Sequence, residues 1–244
     1  MEGSKISFKS KAKTFFTYYK WYILIALFFV VTITIMTVQM CSKEEYDISV
    51  MYAGNTILSD NASASIEHAM EALGDEDEKA VLYELIIMND EEIGKAYEKG
   101  YTSASVSPEK VRKHREALAM NVMSDEYFLL MLSPECYEIM KTNNALERLD
   151  DIGVVVGGKA KVDEYSLKLK ALDFAKANKV FAVLPDDTVV CFKKISEMNA
   201  DKKKKQAKRT HDIEILKRMV SYAPSVESIA VPMAFWRDKE WCVE

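Results

Sequence analysis

Cysteine is scarce in this sequence, and no arrangement of it binds metal or builds a disulfide framework. The 244 residues hold four: Cys41 ends a long apolar run, and Cys136, Cys191 and Cys242 lie beyond it. Three thiols allow at most one internal disulfide with one left over, and no spacing matches a zinc site. The part beyond the run must stand on its apolar core. Histidine is equally sparse: His68, His114 and His211 fall on three separate predicted helices among polar neighbours, read as exposed, with no i, i+4 metal pair. No serine stands between glycines as in a nucleophile elbow. Internal repeats and low-complexity linkers are missing, a short lysine run apart. A net positive charge outside the N-terminal segment is also lacking. Residues 1–42 carry five lysines and one acid, net +4, so the remainder has 28 basic and 37 acidic residues, net −9. An acidic domain excludes nucleic acid as a general partner, because phosphate binding needs a positive field.

What the sequence does have is one uncharged stretch, Trp21–Met40, WYILIALFFVVTITIMTVQM. At about 1.5 Å of rise per residue, its helix matches the roughly 30 Å hydrocarbon core of a bilayer. A helix satisfies its own backbone hydrogen bonds, which lipid requires. The stretch is therefore expected to be a transmembrane anchor in contact with the lipid bilayer, with Trp21, Tyr22, Phe28, Phe29, Val38 and Met40 among its lipid-facing side chains. Lys5, Lys9, Lys11, Lys13 and Lys20 precede it, which puts the N-terminus in the cytoplasm and the rest outside. A cleavable signal would be shorter and end in small residues. A lipidated Cys41 would need small residues at Gln39 and Met40. The expected organisation is a basic cytoplasmic tail, 1–20, a transmembrane helix, 21–42, and an extracytoplasmic domain, 43–244, in a single-pass cell-membrane protein.

The domain alternates strands and helices. Glu45–Tyr52 and Ala80–Met88 read as strands, with a helix between them capped by Ser59 or Asp60 and carrying Ile66, Ala69, Met70 and Leu73 on one face. Ser107-Pro108-Glu109 starts a helix to about Met123, and a weaker helical segment spans Ile93–Gly100. Glu126–Leu132 is a strand that runs into the Ser133-Pro134-Glu135 helix start. Ile152–Val156, Val180–Leu184 and Thr188–Lys193 also read as strands. Asp201 is the expected cap of a long helix to about Tyr222, and Ser228–Val231 a short strand after it. Such alternation predicts one α/β domain with a mostly parallel sheet.

Candidate chemistry is thin. Gly153–Ala160 has the phosphate-loop spacing, but Ala160 stands where the magnesium-binding hydroxyl belongs, so a strand and turn is expected. Asp75–Glu78, Asp90–Glu92 and Asp150-Asp151 lack the alternating ligands and central glycine of a calcium loop and read as solvated turns. No cofactor, metal or catalytic residue is implied, and catalysis is not expected. The strong basic cluster, Lys202, Lys203, Lys204, Lys205, Lys208 and Arg209, is either a solvated helix start or a contact for an anionic polymer or lipid headgroup. Trp236 and Trp241 either pack back on the domain or form an exposed contact.

Tyr127–Glu135 (YFLLMLSPE), followed by Tyr137 and then Ala145–Asp151 (ALERLDD), resembles extracellular solute-binding proteins of the type 2 kind. Leu184–Phe192 (LPDDTVVCF) and the opening strand, glycine and helix of Ile48–Leu73 have the same character. The resemblance implies one lobe, because only residues 152–179 separate Asp151 from the next strand pair, too few for a second. A single lobe implies weak solute binding or none, since enclosing a ligand takes two walls. The expected function is a membrane-anchored interaction module that presents a surface to a cell-envelope protein or anionic polymer. A ligand-binding or sensor protein and an envelope enzyme are the alternatives.

Overall fold

The computed structural model describes residues 8–41, 46–155 and 160–223. The chain divides into two compact units, residues 1–45 and 46–244. The first is a single helix, α1 (Phe8–Cys41), that starts well before the apolar run. Its Tyr19–Thr37 stretch is long and apolar enough to cross a membrane, and none of its described side chains is buried within the protein. Trp21, Tyr22, Phe28 and Phe29 are all exposed. The side chains of Val38 and Met40 lie outside the described residues. Thr32, Thr34 and Thr37 return their hydroxyl protons to the carbonyls of Phe28, Val30 and Ile33 at 2.9, 2.7 and 2.8 Å. Each threonine thus satisfies its donor inside the helix and needs no water.

The second unit is α/β. Its strands are β1 (Ile48–Gly54), β2 (Ala80–Ile86), β3 (Leu129–Leu132), β4 (Ser166–Lys168) and β5 (Val189–Phe192). They form one open sheet in the order β2-β1-β3-β5-β4. β1 pairs parallel with both β2 and β3, whereas β5 runs antiparallel to β3 and to β4. The sheet is therefore mixed, which corrects the expectation of a mostly parallel one. Strand direction follows the connections: the chain leaves β3 through α5 and β4 and returns through α6 to lay β5 antiparallel between β3 and β4.

Helices α2 (Asp60–Glu71), α3 (Asp90–Glu98), α4 (Pro108–Ser124), α5 (Pro134–Thr142), α6 (Asp173–Ala177) and α7 (Lys203–Val220) flank the sheet. Their starts follow local rules: Ser59, Ser107 and Ser133 each accept an amide bond at the N-cap, and Asn89 with Glu92 forms a capping box. β1 is buried along its whole length, as its unbroken apolar run requires. Ile48, Val50 and Tyr52 face one core with Ile66 and Met70 of α2 and Leu216 and Met219 of α7. Met51 and Ala53 face a second core with Leu118 of α4 and Met140 of α5. Burying one of these aliphatic side chains contributes about 1.5–3 kcal/mol, so the two faces of β1 organise the domain.

Three local expectations fail. Ile152 and Gly153 lie in a turn, Gly153 at φ +71, and Val154 and Val155 join no strand; residues 156–159 of the phosphate-loop match lie outside the described residues. Lys179–Val183 is a 3-10 turn that seats Phe181 against Phe174, with ring centroids 5.4 Å apart. The α7 N-cap is Lys202 and not Asp201, and it makes no side-chain capping bond. The Ser228–Val231 segment lies outside the described residues.

The free edge of β2 is closed by side chains. Its outward amides at Ala80, Leu82 and Ile86 donate to Glu71 Oε1 at 3.2 Å, Glu67 Oε1 at 2.8 Å and His114 Nδ1 at 2.8 Å. An edge with these three donors already used is a poorer template for another strand. His114 is thus a partly buried acceptor, where sequence reading expected an exposed helix residue. Its burial, with Lys110 nearby, lowers its pKa and keeps the imidazole neutral.

Candidate interaction surface

A buried polar cluster grows from the end of α4. Asp125, its C-cap, sits in the left-handed region at φ 51, which a short polar side chain tolerates. The turn sends the Asp125 carboxylate inward, where it is fully buried against the equally buried Lys193, the residue after β5. Lys193 Nζ donates to Asp125 Oδ1. On Oδ2, Asp125 accepts from the Ser196 amide at 3.0 Å, Ser196 Oγ at 2.5 Å and Asn199 Nδ2 at 2.8 Å. Burial alone would raise the Asp125 pKa, but Lys193, Ser196 and Asn199 outweigh it and hold the carboxyl below its ordinary value. Burial pulls the Lys193 ammonium down, with Asp125 opposing, and the ammonium lies 5.7 Å from the Phe128 ring centroid.

This cluster fixes the segment between β5 and α7 against the end of α4. Lys205 Nζ closes it by donating to the Asp125 carbonyl at 2.8 Å. Lys208 reaches Ser49 Oγ at 2.9 Å, and Arg209 grips Glu147 at 2.7 and 3.2 Å. Half of the basic cluster, read as a solvated helix start or a contact, is therefore turned into the fold. Lys202, Lys203 and Lys204 remain exposed. Met120 and Met123 on the last turns of α4 and Met198 on the 3-10 turn Glu197–Asn199, whose Asn199 carbonyl accepts from the Lys202 amide at 3.0 Å, are exposed by 69%, 63% and 74%. The Met123 carbonyl accepts from Asn199 Nδ2 at 3.3 Å, so the two methionine-bearing segments are bonded neighbours. Sequence reading missed this apolar component. Met120 and Met123, three apart on a predicted helix, were its only trace. Trp236 and Trp241, read as packed back on the domain or as an exposed contact, lie outside the described residues.

Other candidate chemistry is locally satisfied. Tyr137 Oη and Lys141 Nζ, the latter at 2.7 Å, donate to Asp163 Oδ2, while the Tyr165 amide and Ser166 Oγ donate to Oδ1 at 2.9 Å each. Burial and the Asp163 charge push the Tyr137 phenol up to about 12, the opposite of an activated tyrosine. A shallow 290 Å³ cavity beside this group is lined by Lys141, Asn144, Leu146, Glu164 and Tyr165. Cys136 and Cys191 are buried free thiols; burial pushes the first up to about 11 and the second further. At the carboxyl ends of β1 and β3, the α2 and α5 N-termini are capped by Ser59 and Ser133 and carry Asp60 and Glu135 in their first turns. The acids occupy the positive helix ends that would otherwise attract an anion.

His211 is held between two acids. Its Nε2 lies 2.8 Å from Glu78 Oε1 and its Nδ1 3.9 Å from buried Asp212 Oδ1, which is a charge neighbour beyond bonding distance. Asp212 and Glu78 together raise the imidazole to about 9. Among the described residues no three His, Cys, Asp or Glu side chains converge as a metal site. No protein-family model, curated protein or solved structure matches the chain.

Proposed function

We propose that the chain is a single-pass cell-membrane protein whose domain, residues 43–244, is a non-catalytic extracytoplasmic module that presents the Met120–Met123–Met198 and Lys202–Lys204 surface to a cell-envelope partner. α1 is the uncleaved anchor, and the lysines that precede Trp21 keep the N-terminus in the cytoplasm. One observation carries the reading: a buried, fully bonded ion pair fixes the segment that carries three exposed methionines beside exposed lysines. Exposed methionines grouped on one side of a rigid fold are adaptable contact surface. The raised Cys136 thiol and the raised Tyr137 phenol fit that reading only in that neither supplies a nucleophile near neutral pH.

Topology is the test. A membrane-impermeant maleimide applied to intact cells is expected to label Met198→Cys in a chain with Cys41 and Cys242 changed to serine, and alkaline washing is expected to leave the chain in the membrane. Labelling only after lysis, or release by alkali, would overturn the reading.

A ligand-binding protein related to solute-binding proteins is the second reading. The observation that favours it is the β2-β1-β3 order, which makes a switch point between β1 and β3, where open α/β sheets bind ligands. A solute that raises the melting temperature of the full chain would favour it.

A further inference from the structure

We infer that the partner of the methionine–lysine surface is the bilayer itself, an anionic lipid surface into which Met120, Met123 and Met198 insert while Lys202 and Lys203 engage headgroup phosphates. The inference rests on the anchored reading above and names the chemistry of its partner.

The charge around this surface is opposite to that of the chain. Residues 193–209 hold eight basic side chains and two acidic ones, Glu197 and Asp201, in a protein whose net charge is −5. Folding consumes Lys193, Lys205, Lys208 and Arg209 in the bonds described above. Lys202 and Lys203 are exposed and have no partner among the described residues. Lysine is a compact, hydrated charge on a flexible stem, suited to a field of phosphates and less suited to a planar carboxylate. The three methionines supply what electrostatics alone lacks, apolar side chains next to the cations, which is the combination that seats a structure at the headgroup boundary. Methionine is unbranched and flexible, so it adapts to lipid without needing a shaped receptor pocket. A protein anchored by α1 also meets the bilayer at high effective concentration, so a weak surface attraction suffices.

The test uses the full chain reconstituted into vesicles of zwitterionic lipid alone and into vesicles that also contain phosphatidylglycerol. A spin label is placed at Met198→Cys, with Cys41 and Cys242 replaced by serine. Control labels stand at Asn61→Cys, at the start of α2 beyond the opposite end of β1, and at Phe28→Cys within α1. A relaxing agent dissolved in the lipid is expected to reach position 198 in the anionic vesicles, to reach it much less in the zwitterionic ones, and to miss position 61 in both. Lys202→Glu with Lys203→Glu is expected to reduce the docking equilibrium constant (docked over undocked) at least about thirtyfold, taking the usual contribution of each lysine at an anionic surface. Acids suit the first turn of α7, so this loss would not reflect unfolding. Position 198 remaining in water in both lipids while position 28 is reached would overturn the inference and leave the anchor intact. Position 28 staying out of lipid would instead overturn the anchored reading, and the inference with it. Protection of position 198 only on adding a soluble protein fraction would overturn the lipid assignment in favour of a protein partner.

Discussion

Asp125 and Lys193, 68 positions apart in the chain, form an ion pair with no solvent exposure on either side chain. Two charges taken out of water gain little together, yet leaving one without the other is expensive. Lys193→Met is expected to destabilise the domain by about 3–5 kcal/mol, and Asp125→Asn with Lys193→Met by clearly less than the sum of the two single changes. Urea denaturation of the four forms of the cycle measures this. Strict additivity would show that the pair is not coupled. The single change should also open the segment around Met198 to limited proteolysis while α2 stays protected.

The β2 edge makes a different kind of claim, about self-association. Glu67 and Glu71 occupy the amides that another strand would use. Changing both to alanine leaves those donors facing solvent, and sedimentation is expected to detect concentration-dependent oligomers that the parent chain does not form. If both remain monomeric across the same concentrations, the edge is protected by something other than these carboxylates.

The pH dependence has two sides. The His211 pKa is raised to about 9 by Asp212 and Glu78. Its contribution is complete below the unfolded histidine value of about 6.5 and is lost as pH rises through about 9. His114 is shifted the other way. Its contribution is present above about 6.5 and is lost as pH falls through its lowered folded value. Thermal melts across the pH range should show stability falling on both sides of neutrality. His211→Gln should flatten the alkaline limb alone and His114→Gln the acid limb alone. A variant that altered the opposite limb would contradict the assignment.

Thiol chemistry is the simplest check on the core. Cys136 and Cys191 are buried in one cluster with raised pKa values. In a chain lacking Cys41 and Cys242, an aromatic disulfide reagent is expected to release no chromophore near neutral pH until denaturant is added, and then two equivalents. Fast reaction of the native protein would mean that the second core opens easily.

Local chemistry was legible wherever it acts over a few residues. Ser59, Ser107 and Ser133 announced three helices, because a hydroxyl that caps an amide works at a distance of three residues. The strands β1, β2, β3 and β5 stood out as apolar runs. β4 did not, because Ser166–Lys168 is too short to show a period. Val180–Leu184 misled because a short apolar run is equally compatible with a 3-10 turn that buries one ring, here Phe181.

By itself, then, the sequence determined an apolar helix of bilayer length, a strand–helix alternation and a local excess of lysine, since each depends on neighbours in the chain. Only the tertiary structure decided that β5 and β4 run against the parallel strands, because direction is set by where long connections return. It alone decided which lysines are spent inside the fold. The buried Asp125 turned Lys193 and Lys205 inward and left Lys202 and Lys203 beside exposed methionines. No local rule could state that, because the carboxylate that sorts these lysines is nearly seventy positions from the first of them.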